Sequence, residues 1–255
     1  MLLSVPDWYR LVMFNPNDGS DFARNRARLD DTPNPYEPEV GSLPESDLSH
    51  ADSDKINKTG TTIVGITAED GVVMASDMRA SLGGRVVSNK DVQKVEQIQP
   101  NAAISISGSV GGSQSFIRSL RAEANLYEAR RGEYMSIDAL STMASNLLRG
   151  GPFFRVVPIL GGVDSEGGHV FSLDPSGSSL SDKYTAQGSG MPYALGVLEQ
   201  EFSDDLTMDE AERVGAQAVK SASERDTASG NGVHITKITA DGLETVGHKE
   251  FDDLL

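Results

Sequence analysis

The chain has 255 residues, 38% of them hydrophobic, which is enough for one sizeable domain with an extension. Its 38 acidic and 22 basic residues give a formal net charge of −16, and such a surface repels the phosphates of nucleic acids. There is no cysteine, which excludes disulfides, zinc–thiolate sites and a cysteine nucleophile. We therefore expect no nucleic-acid partner, and the acid-rich, lysine-poor composition predicts a chain that stays soluble at high salt.

The first 60 residues differ in composition from the rest. They contain six of the 11 prolines, notably in "DDTPNPYEPEVGSLPESD", and no strand or helix period persists there. The start lacks the basic segment of a signal peptide, and no apolar run in the chain approaches the ~18 residues of a membrane span. These features predict a weakly ordered leader, no membrane association and a cytoplasmic protein.

Regular patterns begin at Thr62 with a predicted hairpin, "TTIVGITAEDGVVMASDMRA", in which Asp70-Gly71 suits the positive φ of a tight turn. The stretch "NAAISISGSVGG" predicts another strand. Apolar residues at helical spacing then predict helices over 113–131 and 136–149. The sequence after these helices predicts a second strand hairpin and then two further helices.

The second strand hairpin is predicted within "FRVVPILGGVDSEGGHVFSLD", and "GSGMPYALGVLEQEF" predicts a helix entered through a glycine turn. Thr207 and Glu210 have the spacing of a capping box that opens a long helix through Glu224. A last hairpin is expected about Asp241-Gly242. Strands grouped in hairpins and helices grouped in pairs predict an α+β fold, a four-layer α/β/β/α sandwich of two antiparallel sheets.

Most familiar catalytic chemistry is absent from the sequence. The four histidines do not accompany a nucleophile motif, there is no G-x-S-x-G elbow or phosphate-binding loop, and no set of residues has usable metal-ligand spacing. An enzyme with this sequence would work without histidine, cysteine, metal or cofactor.

One chemistry remains possible at Gly60-Thr61, where the leader meets the first strand. A threonine hydroxyl can be activated by an α-amine on the same residue, whose pKa near 7.7–8.0 makes it a base close to neutral pH. That amine exists only if the Gly60-Thr61 peptide bond is cut, and glycine tolerates the backbone geometry such a cut requires. A loop-to-strand glycine also needs no catalytic purpose, so these two residues alone leave both interpretations open.

Several separated motifs from Gly60 onward favour the catalytic interpretation. In order they are "TGTTIVGI", "ASDMRA", "VQKVEQI", "SGSVGG", "GSGMPYALGVLE" and "RDTASG". Together they resemble the proteasome β-subunit family, threonine proteases of the N-terminal-nucleophile hydrolase class, and most closely its archaeal members. The resemblance implies a propeptide over residues 1–60, removed by autocatalysis, and a catalytic domain over residues 61–255.

The resemblance also assigns roles to residues. It implies that Thr61 is the nucleophile and that Asp77 and Lys94 form the ion pair beside it. The segment between these two is one residue longer than usual in the family, so Lys90 competes with Lys94. Further implied functional residues support the threonine amine or the oxyanion, and others line the first substrate pocket. The support residues are Ser189, Asp226, Ser229 and the backbone N–H of Gly108; the pocket residues are Ala80, Ile106 and Val110, all apolar.

The resemblance further implies binding partners, and it leaves alternative protein classes to be compared. We expect α subunits and other β subunits in stacked heptameric rings, an ATP-dependent unfoldase, and protein or peptide substrates cleaved after large apolar residues. The main alternative is a non-catalytic structural β-type ring subunit, which should lack Thr61, Lys94 or the Gly60 junction. The bacterial two-ring threonine protease normally has a far shorter leader, and other N-terminal-nucleophile amidases would need a serine or cysteine start or a small-molecule pocket.

Overall fold

A computed structural model of the protein describes residues 60–153 and 155–255, and the rest of the predicted leader lies outside the described residues. Twelve strands and four α-helices follow one another in this part of the chain. The strands are β1 Thr62–Ala68, β2 Gly71–Asp77, β3 Ala80–Leu82, β4 Val86–Asn89, β5 Val95–Gln99, β6 Ala102–Gly108, β7 Val156–Asp164, β8 Gly167–Leu173, β9 Ser179–Asp182, β10 Tyr184–Gly188, β11 Val233–Thr239 and β12 Gly242–His248. The helices are α1 Val110–Arg131, α2 Ile137–Gly150, α3 Met191–Glu201 and α4 Met208–Arg225.

The strands form two five-stranded sheets and one small hairpin. The first sheet has the order β10-β1-β2-β11-β12, the second β5-β6-β7-β8-β9, and β3 pairs only with β4. Every pairing is antiparallel. Antiparallel pairing puts the start of β1 beside the end of β2, with Ile63 opposite Ser76. The residues just before β1 and at the end of β2 are therefore neighbours.

Alternating side chains divide the apolar core into three clusters. Ile63 and Met74 lie between the two sheets, whereas the next residues along each strand, Val64 and Ala75, face helices α3 and α4. Helices α1 and α2 cover the other face of the second sheet, around the fully buried Phe116. The predicted α/β/β/α sandwich is confirmed.

Local capping explains where the helices begin. Ser109 caps α1 and Ser136 caps α2, each accepting a backbone N–H from the first turn. At α4 the predicted capping box is present, because Thr207 accepts from the Glu210 N–H and its own N–H donates to the Glu210 carboxylate. None of the helices in the described part of the chain is long and apolar enough to span a membrane.

The first turn was predicted one residue too late. Ala68 pairs with Gly71, so the turn residues are Glu69 and Asp70, and Gly71 already belongs to β2. Gly71 is not among the residues with positive φ; a Cβ there would instead overlap the carbonyl oxygen of Ile238 on the neighbouring strand. Close backbone approach, and not turn conformation, requires this glycine.

Candidate active site

Asp77 is the centre of the site and is fully buried at the end of β2. Its Oδ1 accepts hydrogen bonds from the Thr61 hydroxyl at 3.0 Å and from the Thr62 backbone N–H at 2.9 Å. The same oxygen forms an ion pair with the ammonium of Lys94. One carboxylate oxygen thus binds both the hydroxyl of Thr61, the residue directly after Gly60, and the ammonium of Lys94.

The second oxygen of Asp77 is held by backbone groups. Oδ2 accepts from the N–H groups of Arg79 and Gly230, both at 3.0 Å. Arg79 in turn donates from Nε to Asn231 Oδ1 and from Nη1 to the Thr227 carbonyl, at 2.9 Å each. Arg79 therefore ties the loop after α4 to the end of β2 and keeps the carboxylate from rotating.

Lys94 enters this cluster from the residue before β5. It is 6% exposed, and its carbonyl accepts from the Ile106 N–H at 3.1 Å, which anchors its backbone to β6. Burial lowers the pKa of Lys94 below its usual value, and the charge of Asp77 opposes that shift. Lys90, the competing candidate, is exposed beyond the β3–β4 hairpin. The geometry pairs Lys94 with Asp77.

A second polar group surrounds the backbone of Thr61. The Thr61 N–H donates to Ser189 Oγ at 3.1 Å, and the Ser189 hydroxyl donates to Asp226 Oδ2 at 2.6 Å. Asp226 Oδ2 also accepts from the Ser229 hydroxyl at 2.6 Å, and Ser229 Oγ lies 2.7 Å from Thr62 Oγ1. All three predicted support residues are thus within one hydrogen-bond network that reaches the nitrogen of Thr61.

Glycines let these groups approach the threonine. A Cβ on Gly60 would overlap Ala228 and the Ser189 hydroxyl, and one on Gly190 would overlap the Thr62 hydroxyl. Gly188 has φ of 98°, and a Cβ there would overlap the Thr61 carbonyl. Glycine before Thr61 is therefore required by packing as well as by any cleavage chemistry.

A cavity of about 350 Å³ opens beside Thr61 and Lys94. The three predicted pocket residues line it together with Gly108, whose φ of 104° at the end of β6 requires glycine. The walls are mixed in character, since Arg79 and an ion pair of Arg121 with Glu96 at 3.4 Å contribute as well. The pocket residues are Ala80, Ile106 and Val110.

Sequence reasoning missed some contributors to the site. Thr62 was assigned only to the strand, yet its N–H and hydroxyl bind Asp77 and Ser229. Arg79 stands inside the quoted motif "ASDMRA", and Gly230 ends "RDTASG", so both signals were present in the motifs. Among residues 60–153 and 155–255, no cluster of histidine, aspartate and glutamate is arranged to hold a metal ion.

Comparison with known proteins identifies the family. The model of the family described as "Proteasome subunit" matches residues 57–238, more than half of the chain. The chain belongs to the proteasome subunit family. The family predicted from the motifs is thereby confirmed.

Named members of the family from several archaea match nearly the whole chain. A "Proteasome subunit beta" of Halobacterium salinarum is 86% identical over 243 residues, which cover 95% of this chain and 100% of that protein. The corresponding protein of Natrialba magadii is 63% identical over 240 residues, covering 94% and 99%. A "Proteasome subunit beta 1" of Haloarcula marismortui is 57% identical over 237 residues, covering 93% and 98%.

Proposed function

We propose that the chain is a threonine endopeptidase subunit of a 20S proteasome core, with Thr61 as its nucleophile. The observation that carries the proposal is the pair of contacts on Asp77 Oδ1: it accepts the Thr61 hydroxyl and pairs with Lys94. A cation beside the hydroxyl stabilises alkoxide character on its oxygen, and the carboxylate keeps both groups in place. This arrangement needs only a base to take the hydroxyl proton.

The base is created by removal of residues 1–60. The Thr61 oxygen attacks the carbonyl carbon of Gly60, the C–N bond breaks, and the hydroxyl proton ends on the Thr61 nitrogen, so that the acyl group is carried by the oxygen as an ester beside a free amine. Water then hydrolyses that ester, which frees the leader with a Gly60 carboxylate and leaves Thr61 with a free amine and a free hydroxyl. Until this happens the nitrogen is an amide, so the subunit remains inactive before assembly.

Peptide hydrolysis repeats the same steps on a substrate. The Thr61 amine takes the hydroxyl proton while the oxygen attacks the peptide carbonyl, and the protonated amine then gives its proton to the leaving amine. We assign Gly108 the backbone N–H that stabilises the oxyanion, a donor typically worth ~3 kcal/mol of the barrier. The amine next activates the water that hydrolyses the acyl ester.

Ser189, Asp226 and Ser229 orient the Thr61 nitrogen in this mechanism. Their network already reaches that nitrogen while it is an amide, through the 3.1 Å bond to Ser189 Oγ. After cleavage the Ser189 hydroxyl oxygen accepts a hydrogen bond from the new amine, which leaves the nitrogen lone pair directed toward the Thr61 hydroxyl. The mechanism requires no cofactor.

The assembly is proposed from the family. A proteasome subunit works with other proteasome subunits, here α subunits and β subunits in stacked heptameric rings in the cytoplasm, with an ATP-dependent unfoldase that feeds protein substrates. Ala80, Ile106 and Val110 line the cavity beside Thr61 and support cleavage after large apolar residues.

The decisive experiment is intact-mass and N-terminal analysis of the assembled particle, combined with a peptidase assay. We expect the wild type to begin at Thr61 and Thr61→Ala to keep the leader and lose activity. Thr61→Ser retains a hydroxyl and should still be processed, and Thr59→Ala is the matched control that leaves the junction unchanged. An active particle that retains residues 1–60, or one active without the Thr61 hydroxyl, would contradict the proposal and favour the structural-subunit alternative.

A further inference from the structure

The segment that delivers Lys94 to the site is held at few points. From Asp77 the chain runs out through the β3–β4 hairpin and returns at Asp91 and Val92, two residues before Lys94. The returning segment is joined to the residue just after β2 by a backbone hydrogen bond, from the Val92 N–H to the Met78 carbonyl at 3.0 Å. Lys94 is anchored to β6 on its C-terminal side through its carbonyl, so the contacts of Asp91 and Val92 determine how the chain enters Lys94 from its N-terminal side.

His234 of β11 contacts both of those residues. Its Nε2 lies 3.4 Å from Asp91 Oδ1, and the Val92 backbone is near enough to the ring to raise the pKa of His234. Residue 234 is only 9% exposed, and its Nδ1 is buried without a hydrogen-bond partner in the described part of the chain. The imidazole is thus held through Nε2, the nitrogen that faces Asp91.

The fold leaves room for this ring. Gly247 is the residue directly opposite His234 on β12, and a Cβ there would come within 2.9 Å of His234 Cδ2 and 3.1 Å of Met78 Cε. The ring therefore lies over a strand position without a side chain and beside the fully buried Met78. Such packing fixes the ring plane, and with it the direction of Nε2.

A neutral donor suits the electrostatics at this point. Burial lowers the pKa of His234, Asp91 opposes that shift, and the positive charges of Lys249 and Lys94 add to it. A neutral imidazole with its proton on Nε2 can donate a hydrogen bond without placing another cation beside Lys94. Lys249 also reaches Asp91, at 2.7 Å, but both side chains are more than half exposed, and exposed pairs of this kind contribute little.

We propose that His234 is a positioning residue for Lys94: it holds the Asp91 side chain, and with it the chain at Val92, so that the Lys94 ammonium meets Asp77 Oδ1. The inference rests on the proposed function, because it gives Lys94 a role in the reaction. The lysine side chain is flexible, so its placement depends on the backbone from which it starts. A displacement of about 1 Å in a reacting group can cost on the order of 100-fold in rate.

The test compares variants in the full-length chain, purified as the assembled particle, with kcat and KM measured on a fluorogenic peptide. His234→Phe keeps the ring and removes the Nε2 contact with Asp91, and we expect kcat to fall about tenfold or more while KM changes less than about twofold. His234→Gln restores a donor near the position of Nε2 and should recover most of the kcat. The matched control is His169→Phe, which removes a second His–Asp contact, 2.9 Å to Asp164, outside the site.

Several outcomes would overturn the inference. These are a kcat for His234→Phe within about twofold of the wild type, an equal loss in His169→Phe, or no recovery in His234→Gln. If His234→Phe does not assemble, Asp91→Ala takes its place, because that side chain is 58% exposed; a normal kcat there would also count against the inference. Thr61→Ala measured in parallel separates the two proposals. An active Thr61→Ala variant would contradict the proposed function. An inactive Thr61→Ala variant together with a normal kcat for His234→Phe would contradict only this inference.

Discussion

Asp77 and Asp226 are both carboxylates of the site around Thr61, yet their surroundings differ. Asp77 is fully buried and contacts the Thr61 hydroxyl and the Lys94 ammonium directly. Asp226 lies at the C-cap of α4, is only partly buried, and acts on the Thr61 nitrogen through the hydroxyl of Ser189. One carboxylate thus binds the Thr61 side chain directly, whereas the other orients Ser189, which binds the Thr61 nitrogen.

The largest effect is expected from Asp77→Asn. The change leaves the Lys94 ammonium buried without a counter-charge, which typically costs about 3–5 kcal/mol of the free energy of unfolding. We expect peptidase activity to fall by about 1,000-fold or more and processing at Gly60 to stop. Activity assays, N-terminal analysis and urea unfolding measure these effects.

Asp164→Asn is a matched control for that variant. Asp164 also accepts backbone N–H bonds, from Ile137 at 2.9 Å and Glu166 at 3.0 Å, but it lies at the end of β7 outside the site. It should lose stability and keep activity per folded molecule. Equal loss of activity in the two variants would show that the Asp77 effect is structural.

The second prediction concerns the lysine that Asp77 holds. Lys94→Met keeps much of the side-chain volume and removes the charge, so we expect it to abolish peptidase activity. Lys90→Met is the natural control, since Lys90 is exposed and outside the cavity. Loss of activity only in Lys90→Met would contradict the pairing of Lys94 with Asp77.

A smaller effect is expected from Asp226→Asn. An amide oxygen at the Oδ2 position still accepts both serine hydroxyls, more weakly than a carboxylate does, while the amide NH₂ no longer accepts the Ala228 N–H that Oδ1 accepts, so the loss of stability should be about 1 kcal/mol. Because the orientation of the Thr61 nitrogen is loosened and the reacting groups stay in place, we expect kcat to fall about tenfold. A loss as large as that of Asp77→Asn would remove the distinction between the two carboxylates.

The smallest effect is a shift in pH dependence. Burial lowers the pKa of Lys94, and the charges of Asp77 and Asp226 raise it. Asp226→Asn removes one of the negative charges that raise the pKa of Lys94, so the alkaline limb of the pH–rate profile should move to lower pH. The pKa of Lys94 is lower in the folded chain than in the unfolded chain. At a pH between these two pKa values the unfolded chain binds more protons, so stability rises with pH in that window. A limb that moves to higher pH would show that Asp226 does not act on Lys94.

Local signals in the sequence predicted much of the fold. The helix over 136–149 and the capping box of Thr207 and Glu210 were read from neighbouring residues, and the structure has both within one residue. The β3–β4 hairpin and the short strands β9 and β10 were not predicted, because three to five residues carry too little periodicity. Gly71 was misread as a turn residue, since the carbonyl that requires it belongs to Ile238 on another strand.

The sequence by itself determined the family, the longer strands and the four helices in their order, and Gly60-Thr61 as the junction to test, because these depend on motifs and on contacts within a few residues. Tertiary structure shows the contact of Lys94 with Asp77, which the resemblance had already favoured over Lys90, and it alone placed Arg79 beside Asp77 and His234 beside Asp91. The contacts of Lys94 and His234 join residues far apart in the chain, such as His234 and Asp91. Their geometry depends on strand register and on which side chains are buried, and neither can be read from the spacing of residues along the chain.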